Sequence, residues 1–173
     1  FCQTSTISVS GNTMTSLPSS FNPNRSVNFG ENKLFINQTL DNVYVRSKFE
    51  AEKIILEEIA SQRLKGIIFR IGNITNRFSD GKFQENYEDN AFLNRLKAFL
   101  TLKMCPSSLL NNYAEFSPVD KVAEAIVTAM QYYTYPTSIL HIYNSKHDRW
   151  DKNNKPSWFL FSTATETEML FVW

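Results

Sequence analysis

Within DNVYVRSKFEAEKIILEE (41–58), Tyr44 and Lys48 stand four residues apart in a run with helical periodicity. One helical turn is about 5.4 Å, so the two side chains leave the same face as near neighbours. A phenol is a weak acid with an ordinary pKa of about 10, and a cation within about 4–6 Å lowers it by roughly 1–3 units. Such a pair can give a proton to a carbonyl oxygen while a hydride arrives at the carbon. The same spacing also suits two solvated side chains on a helix face, so the choice falls to the elements around them.

Those elements read as alternating strands and helices. FCQTSTISVS (1–10) is rich in Thr, Ile and Val and runs into Gly11, which predicts a strand followed by a turn. From Gly11 to about Asn32 the composition turns to Ser, Asn, Pro and Gly, that of a long surface loop, either disordered or a functional lid. Thr39 or Asp41 is expected to cap the next helix, with Val45, Phe49, Ile55, Leu56 and Ile59 as its buried stripe. GIIFRI (66–71) has the pattern of a parallel strand buried on both faces, so strand, helix and strand make a βαβ unit.

GNITNRFSDGKFQENYEDN (72–90) is polar and irregular, and leaves the C-terminal end of that strand, where open α/β sheets bind ligands. A helix is expected over Ala91–Lys103, with Phe92, Leu93, Leu96, Phe99 and Leu100 facing a core. Ser117 as N-cap, Pro118 at the first helical position and Asp120 in the first turn predict a helix from 118 to about 132. Its apolar positions are Val119, Val122, Ala123, Ile126, Val127 and Met130. SILHIYN (138–144) reads as a third parallel strand. Past Asn144 no periodicity ties the chain to what precedes it, so residues 1–144 are read as the domain and 145–173 as an unassigned tail.

Composition narrows the function classes. With 173 residues, 42% hydrophobic and 14% aromatic, the chain can bury one core and is not a disordered segment. A net charge of +1, with both signs scattered, offers nucleic acid no basic stripe and a membrane no polybasic patch. No apolar run approaches the roughly 20 residues of a membrane span, and no signal peptide is seen. Cys2 and Cys105 form no pairing or ligand pattern, which suits free thiols in a reducing, cytoplasmic compartment, and sequons at Asn24, Asn37 and Asn73 are then without meaning. His141 lies in an apolar run as a core or sheet residue, His147 is isolated, and no metal is inferred. A chain that begins at Phe1 inside a strand is expected to be a fragment.

Four segments occur in an order that resembles the extended short-chain dehydrogenase/reductase superfamily: TSTISVSG (4–11), FGENKLFINQTLDNVYVRSKFEAE (29–52), FRIGNITNRFSDGKFQENYEDNAF (69–92) and FSPVDKVAEAIV (116–127). Within it the chain is similar to the thioester reductase domains that end some nonribosomal peptide synthetases, over roughly Thr4 to Asn144. RIGNIT through SDGKFQ separates these from sugar-nucleotide epimerases and dehydratases, the alternative with the same Thr/Tyr/Lys layout. The resemblance implies a Rossmann-like, doubly wound α/β parallel sheet, here its C-terminal part only. It also implies a catalytic set of Thr6 (or the adjacent Ser5), Tyr44 and Lys48, with Tyr44, Lys48, Gly72, Asn73 and Ile74 beside the cofactor. Arg77, Asp80 and Gln84 match the substrate-side pattern, where a loop held by its own hydrogen bonds and direct substrate contact remain equal alternatives.

The implied reaction is NADPH-dependent reduction of an acyl or peptidyl thioester, held on the phosphopantetheine arm of a carrier-protein domain, to an aldehyde or alcohol. Thr6 and Tyr44 would hydrogen-bond the carbonyl oxygen, and Lys48 would assist the phenol and grip the nicotinamide ribose. Two departures qualify this. None of the five glycines falls in G-x-x-G-x-x-G spacing, so the Gly-rich phosphate turn of the family is absent. The residues after Asn144 do not match the family's continuation, as expected of a truncated or shifted reading frame or a strain-specific tail. The 173-residue chain alone is therefore expected to be marginally stable or to aggregate, and not to bind NADPH, and a non-catalytic fragment stays open beside the enzyme.

Overall fold

The computed structural model describes residues 1–11, 29–102, 113–132, 138–144 and 147–149. Most of the loop expected after Gly11, Lys103, Cys105 and nearly all of the tail lie outside the described residues. In chain order the elements are β1 (Cys2–Thr6), a 3-10 turn (Ile7–Ser10), α1 (Val43–Ala60), β2 (Ile67–Ile71), β3 (Ile74–Thr75), a second 3-10 turn (Tyr87–Asp89) and α2 (Ala91–Leu102). There follow β4 (Tyr113–Glu115), β5 (Ser117–Pro118), α3 (Val119–Tyr132), β6 (Ile139–Ile142) and β7 (His147–Arg149). They fall into two compact units, Phe1–Gly72 with Ile126–Ile142, and Asn73–Ala125 with the segment from Tyr143.

The first unit is built on a parallel sheet of order β1-β2-β6, with Cys2 opposite Ile67 and Ile68 opposite Ile139. Parallel neighbours require a crossover, and α1 supplies the one from β1 to β2, as the predicted βαβ unit demands. β2 is central, and Ile68, Phe69, Arg70 and Ile71 are all buried, which is why its sequence is almost continuously apolar. Ile55 of α1 packs with Ile68 and Ile139, and Leu56, Ile59 and Leu64 close the cluster.

Two boundaries in this unit differ from expectation. The strand predicted over 1–10 ends at Thr6, because the Thr6 hydroxyl accepts the Ser8 N–H at 3.1 Å and turns the chain into a 3-10 helix. Gly11 ends that turn at φ 69°, where a Cβ would lie 2.7 Å from the Cβ of Gln38, so both conformation and space require glycine. Helix α1 is capped by neither Thr39 nor Asp41. Asn42, among the strongest N-caps, accepts the Val45 N–H at 3.2 Å on its Oδ1. The buried Gln38 holds the approach, donating to Val9 O and Leu34 O and accepting from the Ile36 N–H.

In the second unit β3 pairs parallel with β5, and β4 pairs antiparallel with β7. The backbone of His147–Arg149 thus joins a ladder that no periodicity announced. Leu93, Leu96 and Phe99 of α2 are buried, and Phe92 meets Phe116 edge-on at 5.6 Å between centroids. Ser117 does not cap the next helix. Its hydroxyl donates to Glu115 and accepts from Asn144 N–H, so Ser117 and Pro118 form β5 and α3 starts at Val119. Of the apolar positions expected on α3, Val122 is buried, whereas Val119, Val127 and Met130 are exposed. Among the described residues no helix is long and apolar enough to cross a membrane.

Candidate active site

Tyr44 lies in the first turn of α1 and Lys48 one turn on, with the Lys48 Nζ 5.9 Å from the centroid of the Tyr44 ring. Lys48 also reaches the sheet, donating to Thr4 O of β1 at 3.1 Å. Thr6 stands two residues further along β1, at the point where strand becomes 3-10 turn, and α1 packs against both of those elements. The Thr6 hydroxyl accepts from Ser8 and keeps its own hydrogen to donate. Ser5, the alternative hydroxyl, is buried and donates to Glu52 Oε1 at 2.5 Å, so it is committed inside the fold.

Beneath this pair lies a buried ionic network that the sequence reading missed. Glu52 of α1 and Arg70 of β2 are both fully buried and bonded at 2.8–3.2 Å through Arg70 Nε and Nη2. Arg70 Nη2 also donates to Lys33 O at 2.9 Å, and the guanidinium lies 4.4 Å from the Phe29 ring centroid. Arg70 Nη1 lies 3.3 Å from His141 Nε2. A guanidinium can only donate, so His141 Nε2 is the acceptor and the ring carries its proton on Nδ1. Burial, and then the neighbouring Arg70 charge, hold the His141 pKa below its ordinary value of 6.5. His141 is thus a half-buried sheet residue, as expected. Two signals could have shown the network: an acid within the apolar stripe of α1 and a cation within GIIFRI.

The remaining candidates lie along the chain after β2. Gly72 ends the first unit, its N–H donating to Ile142 O at 3.0 Å. Asn73 and Ile74 belong to the second unit. Asn73 is engaged by Glu115, whose Oε2 accepts the Asn73 N–H at 2.6 Å and whose carbonyl accepts the Asn73 side-chain amide at 3.2 Å. Ile74 pairs with Ser117 in β3.

The segment beyond is held by its own hydrogen bonds. Arg77 pairs with Asp80 at 2.5 Å, Arg77 N–H donates to Lys82 O, Gly81 turns at φ 72°, and Gln84 donates to Asn86 O. Asp120 of α3 accepts the N–H groups of Phe78 and Ser79 at 2.8 and 3.0 Å. These bonds, that from Phe78 first, hold the Asp120 carboxyl down to about 2. Among the described residues no group of three or more His, Cys, Asp or Glu is placed to hold a metal ion.

Residues 1–126 match the NAD-binding family described as male sterility protein. The thiolation-reductase di-domain of an archaeal non-ribosomal peptide synthetase is 35% identical over 86% of this chain, with a TM-score of 0.71. The Aureusimine biosynthetic cluster reductase domain is 29% identical over 86% of the chain, with a TM-score of 0.72. The terminal R domain of the myxalamid PKS-NRPS pathway, 22% identical with a TM-score of 0.59, shares the fold. The chain spans 38% of each of the first two structures and 34% of the third. No curated protein matches it. The fold is the Rossmann-like α/β type expected, over part of a reductase domain's length.

Proposed function

We propose, from the premise that this chain belongs to the NAD-binding male sterility protein family, that it carries the proton-transfer side of a thioester reductase active site. The observation that carries this reading is the Tyr44–Lys48 pair on α1, with Lys48 bonded to β1 two residues before Thr6. The substrate class that fits the reductase domains this chain resembles is an acyl or peptidyl thioester on a carrier-protein domain. The archaeal relative joins a thiolation domain to its reductase, which supports a carrier of that kind as partner.

The donor set suits a nicotinamide dinucleotide. The Lys48 ammonium has three N–H groups and gives one to Thr4 O, so two remain for ribose hydroxyls. When bound, that cofactor, NADPH by the resemblance, supplies the hydride. Thr6 donates a hydrogen bond to the substrate carbonyl oxygen, where negative charge develops. The Tyr44 phenol, 56% exposed in the first turn of α1, gives that oxygen its proton. Lys48 steadies the phenolate left behind. The carbonyl carbon gains the hydride. The hemithioacetal so formed would collapse as its C–S bond breaks and the hydroxyl proton passes to the departing sulfur, giving an aldehyde and the free carrier thiol; a second hydride and proton would give an alcohol.

The test is NADPH oxidation by the full-length gene product with a carrier-bound acyl thioester. Tyr44→Phe is expected to lower kcat by about 10²–10⁴-fold, the usual worth of a positioned general acid. Thr6→Ala is expected to lower it by about 10²–10³-fold, as for one oxyanion donor. Turnover of a nucleotide sugar instead of the thioester, or full activity in Tyr44→Phe, would refute the reading.

A further inference from the structure

Resting on that reading, we propose that Glu52, held by Arg70, is a positioning residue that sets the rotation of α1 and so aims Lys48 and Tyr44 at the end of β1. Successive helical residues turn by 100°, so with Glu52 fixed inward Lys48 lies about 40° and Tyr44 about 80° away around the helix. Exposure follows that order: Glu52 is at 0%, Lys48 is half-buried and Tyr44 is 56% exposed. One turn apart, Lys48 and Glu52 grip adjacent residues of β1, Lys48 through Thr4 O and Glu52 through the Ser5 hydroxyl. Thr6 is the next residue along the strand.

The pair's chemistry supports direction more than stability. A buried ion pair gains little over well-packed apolar residues, but its geometry is fixed. The Glu52 carboxylate is bonded from β1 by Ser5 and from β2 by Arg70, and Arg70 is bonded onward to Lys33 O and His141. An apolar side chain at position 52 could fill the space, yet it would let α1 turn. Two strands and the segment before α1 therefore hold one helix rotation, and Glu52 does so without touching the reacting atoms.

Lys48 accessibility reads that rotation directly. Trace acetylation of the full-length gene product, followed by mass spectrometry, gives the labelling rate of Lys48 relative to exposed Lys53 on the same helix. Glu52→Gln keeps shape and some hydrogen bonds but removes the charge. It is expected to raise that ratio at least threefold and to lower kcat for thioester reduction about tenfold, whereas Glu57→Gln, on the exposed side of α1, changes neither. If Glu52→Gln does not fold, Ser5→Ala releases only the strand bond and is expected to raise the ratio in the same direction. An unchanged ratio in the folded variants overturns the proposal. If the unaltered protein reduces no thioester, the functional reading fails while the labelling ratio still decides whether Glu52 orients Lys48.

Discussion

Arg70 is buried in the central strand with Nε, Nη1 and Nη2 all engaged, and that satisfaction is what makes a cation tolerable there. Removing it would leave Glu52 charged, buried and bonded by Ser5 alone. Arg70→Ala is expected to destabilise the protein by about 3–5 kcal/mol, the usual cost of breaking a buried pair from one side. Urea denaturation followed by circular dichroism would measure it, and a loss below about 1 kcal/mol would mean that water replaces the guanidinium. The catalytic candidates read differently from this pair in the sequence. Tyr44 and Lys48 were legible because their spacing is local to one helix, and one turn suffices to join them. Glu52 and Arg70 meet only after β1, α1 and β2 have packed, so each was legible singly, as a charge among apolar residues, but the pairing was not.

Helices and strands with strong local periodicity emerged close to where the sequence puts them, while their ends moved. β1 stopped short because the Thr6 hydroxyl found the Ser8 N–H, and α3 started late because Ser117 was drawn to Glu115 and Asn144. Both are side-chain choices between neighbouring partners, and the second depends on residues far along the chain. Asp120 is a third example. Its position suggests a first-turn acid serving its own helix, yet it accepts the Phe78 and Ser79 N–H groups and ties the Arg77–Lys82 turn to α3. Its ordinary pKa of 3.8 falls to about 2 in the fold, so an unfolded chain takes up this proton at higher pH than the folded one. The tie therefore contributes fully above the ordinary value and is lost as pH falls through about 2. Amide exchange of Phe78 and Ser79 is expected to accelerate over that range. Asp120→Asn is expected to remove the acid-dependent step, and its persistence in that variant would assign it to another carboxylate.

For the molecule as a whole, the sheet topology and the site lead to a limit on what this polypeptide binds. The described parallel sheet has three strands, β1-β2-β6, and the candidate chemistry gathers at one end of β1 with α1 beside it. That arrangement suits the nicotinamide ribose, through Lys48. A dinucleotide also carries a diphosphate, which Rossmann-like folds bind on the backbone N–H groups of a Gly-rich turn at a helix N-terminus. The five glycines here are Gly11, Gly30, Gly66, Gly72 and Gly81, and no three are close enough in sequence to form that turn. Gly11, the nearest to β1, is already pressed against Gln38 and Thr39. The proposed ribose contact through Lys48 is thus accompanied by no Gly-rich diphosphate turn in the sequence. Calorimetric titration of the soluble, monomeric 173-residue polypeptide with NADPH is expected to give a Kd weaker than about 1 mM, less than about 4 kcal/mol of binding. A sub-millimolar Kd abolished by Lys48→Met would show that the ribose side suffices. The same affinity retained in Lys48→Met would reveal a dinucleotide site elsewhere in the chain, and would separate cofactor binding from the Tyr44–Lys48 pair.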